Sequence, residues 1–168
     1  MSTYCVSDLH GMYSKFKLLL ETISFSDRDT LYIIGDMLDR GPQPISLVRD
    51  IMTRPNVIAL AGNHDVTGCL CLGHLIYGGR AEELDDESMM DILLWRADGG
   101  ESTLAEFLKL TIPQRIAVVE WLIDLDFYSE IRVDGKDYIL VHTGLGANAD
   151  PTRKLDDYDI EDSAVYGA

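Results

Sequence analysis

Apolar residues recur along this chain in two alternating rhythms. Short apolar runs, Tyr4-Cys5-Val6, Leu31 to Ile34 and Val57 to Ala61, read as buried strands, predicted over 3–7, 31–35 and 57–61. After the first, Phe16, Leu19, Leu20 and Ile23 fall at helical spacing on one face. A polar turn at Asp27 to Thr30 leads into the second strand. Pro42 and Pro44 then punctuate the start of another helix, whose Ile45, Val48 and Met52 share a face before Arg54-Pro55-Asn56 ends it. Strands alternating with helices in this way imply parallel pairing, with helices packed outside the sheet.

The pattern changes over residues 64–125, which read as helical. Ile112, Ile116, Val119 and Ile123 predict one face, with Pro113 in a first turn that tolerates it, and Gly99-Gly100 breaks the segment. Two strands follow, Phe127 to Val133 and Lys136 to Thr143, joined by Asp134-Gly135, a strong hairpin signal. The last ~20 residues are polar and show no period. No repeat or linker interrupts the chain, so residues 1–168 are expected to form a single domain, an α/β sandwich.

Composition narrows the choice of chemistry. With 168 residues, 46% of them hydrophobic and 26% charged, the chain has globular values. No apolar run approaches the ~20 residues of a membrane span, and the first strand begins too early for a signal peptide. Three cysteines, Cys5, Cys69 and Cys71, are not a disulfide framework, so a cytoplasmic location is expected. The net charge of −15 disfavours nucleic acid as a partner. Two acidic runs, Glu82 to Asp91 and Asp156 to Asp162, read as solvated surface.

Four motifs carry candidate chemistry: SDLHG at 7–11, GDMLDRG at 35–41, GNHD at 62–65, and His142 within LVHTGL at 140–145. Each lies at a predicted strand end, where α/β sheets gather their ligands. Carboxylates beside imidazoles suit Mn, Fe or Zn rather than calcium, and several such ligands together point to a two-metal site. In this order the motifs resemble the PPP-type metallophosphatases of the calcineurin-like family, most closely the short bacterial and phage serine/threonine protein phosphatases. The resemblance implies a calcineurin-like β-sandwich flanked by helices.

It also implies roles. Asp8 and His10 would hold one divalent ion, Asp36 would bridge to a second, and Asn63 and His142 would complete that second site. The ions would be Mn, with Fe or Zn as alternatives, and they would activate a water for direct attack on phosphorus. Arg40 would clamp the phosphoryl oxygens, His64 would protonate the leaving group, and Asp39 would hold the other ring nitrogen of His64. The substrate would be a phosphorylated protein or a small phosphoester.

Some positions depart from the family pattern. Ser7 stands where Gly is common, Asp65 where Glu is frequent, and WRADGGEST at 95–103 carries Asp98 in place of Asn. The family's final His ligand and second clamp Arg have no counterpart after His142, where Arg153 comes too soon, so the C-terminal part of the fold is expected to be missing. The second ion is therefore expected to bind more weakly, and an open sheet edge would allow dimerisation. Two alternatives remain: a dinucleoside-polyphosphate hydrolase with the same ligands, and a non-catalytic remnant that binds metal, phosphate or a partner.

Overall fold

A computed structural model describes residues 1–77 and 85–144. Its centre is a parallel sheet of β1 (Thr3–Val6), β2 (Thr30–Ile34) and β3 (Val57–Leu60), in that order, with α1 (Tyr13–Thr22) and α2 (Pro44–Ile51) as the crossovers. Because both crossovers step the same way along the sheet, right-handed connection places both helices on one face, and α1 packs against α2.

Register shows which face is covered. Tyr4, Leu31 and Val57 form one cross-strand row, and Val6, Ile33 and Ala59 form the next. Leu31 and Ile33 at their centre are 1% and 0% exposed. The opposite face carries the row Cys5, Tyr32 and Ile58, in which Cys5 and Ile58 are exposed. Of the second sheet expected for a sandwich, the described residues contribute the antiparallel hairpin β4 (Tyr128–Val133) and β5 (Lys136–Val141). A parallel bridge between Leu60 and Asp126 joins the approach to this hairpin to β3.

Between β3 and β4 lie α3 (Asn63–Tyr77), α4 (Asp86–Trp95), a wide turn at Arg96–Gly100, α5 (Glu101–Phe107) and α6 (Ile112–Ile123). The acidic stretch has a local use at α4: the Asp85 side chain accepts from the Ser88 amide at 2.7 Å, and Asp86 and Glu87 occupy the positive first turn. Residues 82–84 of that stretch and the run at 156–162 lie outside the described residues. α2 is capped from a distance, since Glu106 accepts from the Ile45 and Ser46 amides and from the Ser46 hydroxyl.

The face of α6 differs from expectation. Val118, Val119 and Leu122 are buried, Ile116 is half-buried, and Ile112 and Ile123 are 58% and 62% exposed. The run from Ile116 to Ile123 is apolar nearly all round, so two overlapping stripes fit the helical period, and packing against α3 selects the one through Val118 and Leu122. Glycines 99 and 100, by contrast, break the helical stretch between α4 and α5 as expected. Gly99 takes φ +112°, a conformation other residues resist, and turns the chain toward Arg40. No helix among the described residues is long and apolar enough to cross a membrane.

Candidate functional site

The parallel pairing of β1 and β2 continues past the strands into the motif loops. Backbone bonds run from Asp8 to Gly35 (3.2 Å), His10 to Asp36 (2.8 Å) and Gly11 to Met37 (2.9 Å). This zipper sets Asp8 and His10 beside Asp36. From the third loop, α3 begins at Asn63, and the His64 amide at its first turn donates to Asp36 Oδ1 at 3.1 Å. Gly62 is needed for that approach, because a Cβ there would strike the Asp36 amide and carboxylate. At the end of β5, His142 arrives from the hairpin.

These loops are held in unusual backbone conformations. Asp8 (φ 56°), His10 (38°), Asp36 (55°), Asp39 (67°) and Arg40 (63°) all lie in the left-handed region. Each costs roughly 1–2 kcal/mol relative to ordinary backbone, a strain that clusters where side chains are aimed at a common point.

Three imidazoles share one design. The Nδ1–H groups of His10, His142 and His64 donate to Leu38 carbonyl, Ile34 carbonyl and Asp39 Oδ2, each at 2.9 Å. Anchoring one nitrogen leaves the other, Nε2, to face the centre, as metal-binding histidines require. Asp36 stands between them: Oδ2 lies 3.4 Å from His10 Nε2, and Oδ1 lies 3.4 Å from His142 Nε2. Asn63 Oδ1 lies 3.3 Å from His142 Nε2. Donor atoms converge within 4.8 Å in two groups, His10-Asp36-His64 and Asp8-Asp36-His142. All the sequence-predicted ligands are thus brought together. The grouping differs in detail from the expected one, since Asp8 and His10 join Asp36 in different groups. Anchored Nε2 atoms around a shared carboxylate fit two divalent transition ions.

Charge follows the same geometry. Burial pushes the Asp36 carboxyl up, but bonds from His142 and the His64 amide bring it net below its usual range. His142 is raised to about 9, chiefly by its hydrogen bond to Asp36, with burial opposing.

Arg40 spans the two rings on the Asp39 loop. Nη1 donates to His10 Nε2 at 3.0 Å and Nη2 to His64 Nε2 at 2.7 Å, while its amide bonds Gly99 carbonyl at 3.0 Å. Asp39 is fully buried. Its Oδ2 accepts from His64 Nδ1 and Trp95 Nε1, both at 2.9 Å, and its Oδ1 accepts from Thr103 Oγ1 at 2.6 Å. Trp95 and Thr103 therefore fix the carboxylate that orients His64. Sequence reasoning singled out the WRADGGEST block but gave it no such task. Asp98 reaches to 3.8 Å from His64 Nε2.

Asp65, noted in the sequence only as a substitution for Glu, ties the second and third loops together. Its carboxylate accepts from the amides of Met37, Leu38 and Gly62, each at 3.0 Å. Burial pushes it up to about 7 against those three bonds. Asp65→Ala is expected to leave three buried donors unpaired and to destabilise the fold by about 3 kcal/mol or more, with Asp65→Asn intermediate. Urea unfolding checks this, and a loss below ~1 kcal/mol for the Ala variant would show that the loops hold without it. His74, the remaining histidine, lies away from the centre in an apolar groove between α3 and α6 and joins neither donor group.

An α/β domain that gathers carboxylates, imidazoles and an arginine at its strand ends defines a metallophosphoesterase. The chain belongs to the calcineurin-like phosphoesterase family, whose profile matches residues 1–165. It is 34% identical over 150 residues to a symmetrical bis(5'-nucleosyl)-tetraphosphatase of Acidovorax ebreus, covering 86% of this chain and 44% of that protein. A protein described in the same words from Buchnera aphidicola is 30% identical over 153 residues, covering 89% and 47%. A solved structure described as a candidate diadenosine tetraphosphatase superposes with a TM-score of 0.61 at 19% identity, over 97% of this chain and 61% of that one; it supports the fold. The chain thus spans somewhat less than half the length of these curated relatives. They are tetraphosphatases rather than protein phosphatases, so the expected protein-phosphatase assignment is not the one they favour.

Proposed function

We propose that residues 1–168 form one metallophosphatase domain that hydrolyses dinucleoside polyphosphates, splitting a tetraphosphate bridge into two nucleoside diphosphates. The observation that carries the reading is Asp36 set between two anchored imidazoles with the Arg40 guanidinium beside them. The tetraphosphatase relatives supply the substrate class. Asp8, His10, Asp36, Asn63 and His142 would hold two divalent ions, Mn first among them. Such ions neutralise phosphoryl charge and lower the pKa of water.

The chain's own residues do the rest. Arg40 meets the non-bridging oxygens of the attacked phosphorus through its two-pronged fork. Water oxygen bonds to phosphorus and the bridging P–O bond breaks. His64 Nε2, which accepts from Arg40 in the substrate-free arrangement, first takes a proton from solvent and passes it to the departing oxygen, while the water proton goes to solvent. Asp39, held by Trp95 and Thr103, keeps the His64 ring facing that oxygen.

Incubation with diadenosine tetraphosphate and Mn²⁺, followed by chromatography, tests the reading. ADP as the sole nucleotide product supports it. AMP with ATP, or turnover of phosphopeptides in preference to the dinucleotide, would overturn it.

Metal binding should also release protons. His142, raised to about 9, carries its proton at pH 7 and must lose it before Nε2 binds an ion. The sign follows: apparent affinity rises with pH, approaching tenfold per unit, and levels off above about pH 9. Calorimetry at pH 7 in buffers of different ionisation enthalpy should show close to one proton released. Zero release would remove His142 from the ligand set.

A further inference from the structure

Two openings flank Arg40. On the His64 side, a pocket of 170 Å³ is lined by His64, Trp95 and Asp98 among others. On the His10 side, a groove of 530 Å³ runs along the start of α1 and shares Asp8, His10 and Arg40 with the centre. Leu9, Met12, Phe16 and Leu19 give its lining an apolar part, and the exposed Lys15 lines it too.

The groove's chemistry is selective. In a chain with 14 basic against 29 acidic residues, an ammonium and a guanidinium lining one groove mark a place for an anion, the Asp8 carboxylate there belonging to a donor group that a metal would neutralise. Lys15 is exposed and has no carboxylate partner among the described residues, whereas Lys17 lies over the Tyr13 ring at 5.1 Å. Apolar side chains, one fixed fork of donors and one cation unpaired among the described residues form the complement of a nucleotide, which offers a flat base and phosphates. The volume falls in the range of small-ligand sites.

We infer that this groove binds the nucleotide half that remains on the attacked phosphorus, with the base against Met12 and Leu19 and Lys15 at the adjoining phosphate. The assignment of halves rests on the dinucleoside-polyphosphate reading, because a leaving oxygen belongs at His64, on the other side of Arg40. A simple monoester has no second substituent and leaves the groove empty. Lys15, Met12 and Leu19 would then determine specificity, while the metal ligands and Arg40 handle the phosphoryl group common to every substrate.

Binding of ADP and of inorganic phosphate to the whole Mn²⁺-loaded chain tests this by calorimetry. ADP should bind at least ~10-fold more tightly than phosphate. Lys15→Met and, separately, Met12→Asp should each remove most of that difference while phosphate affinity stays within ~2-fold. Unchanged metal stoichiometry and melting temperature establish that the variants are folded. Equal affinities for ADP and phosphate in the parent chain would overturn the inference. So would a Lys15→Met variant that binds ADP as before or loses both ligands equally. If the Lys15-dependent ADP binding holds but diadenosine tetraphosphate is not cleaved, the proposed reaction fails and the nucleotide groove stands. Cleavage accompanied by Lys15-independent ADP binding sinks the groove alone.

Discussion

Asp36→Asn is expected to abolish tight metal binding and with it turnover, while leaving the fold intact. The substitution keeps the shape of the side chain and one acceptor for the His64 amide, which now bonds Asp36 Oδ1. It removes the negative charge and the second oxygen that faces His10. One unit charge at contact distance in a partly screened site is worth about 4 kcal/mol, or ~10³-fold in affinity, and a divalent ion feels it more strongly. Both sites share this carboxylate, so both should weaken together. Stability of the metal-free chain should also fall, because the protonated His142 stays in place and loses the carboxylate that holds its proton. Equilibrium dialysis against Mn²⁺ checks the effect, and a double Asp8→Ala, Asp36→Ala variant extends it. Unchanged stoichiometry in the double variant would sink the ligand assignment.

Much of this centre was legible in the sequence because its residues sit at strand ends, and a strand end is read from a local apolar run followed by a turn. That signal places Asp8, His10, Asp36, Asn63 and His142 at strand ends, while their ligand roles came from the family resemblance. What stayed hidden depends on contacts between distant segments. Trp95 and Thr103 hold Asp39 across 56 and 64 positions of chain, and no periodicity announces such a pairing. Glu106 caps α2 from α5 at similar range, and Asp65 bonds amides in the preceding loop. The positive φ values of Asp8, His10, Asp36, Asp39 and Arg40 were equally silent, since those residue types have no need of that conformation; it accompanies long-range bonds of these loops, the zipper from Asp8 to Met37 and the Arg40 amide bond to Gly99.

Substrate choice was the least legible property, for a related reason. The motifs handle a phosphoryl group, and a phosphoserine, an aryl phosphate and a dinucleoside polyphosphate all present one. Resemblance through those motifs therefore could not separate a protein phosphatase from a tetraphosphatase. The difference has to lie in what surrounds the centre, such as the groove at Met12, Lys15 and Leu19, where residue identity carries no motif. Asp98 is another such position, with its carboxylate 3.8 Å from His64 Nε2.

His64→Asn should divide substrates by the basicity of what leaves. An alkoxide such as that of serine departs only with a proton, so loss of the donor should slow phosphoserine hydrolysis by ~10²–10⁴-fold. A nitrophenolate leaves readily without one, and its ester should suffer far less. The terminal phosphate of a nucleoside diphosphate has a second pKa near ~6, which places diadenosine tetraphosphate close to the aryl ester rather than to phosphoserine. Arg40→Ala should behave differently and slow all three, because its fork addresses the phosphoryl oxygens they share. Trp95→Phe, which removes one donor to Asp39, should reproduce the His64 ordering in weaker form, since it acts only through the orientation of that ring. The measurement is kcat for the three substrates at saturating Mn²⁺, with metal content determined for each variant. Equal losses across the three substrates in His64→Asn, with metal content intact, would remove His64 from the proton-donor role and leave it a positioning residue for Arg40.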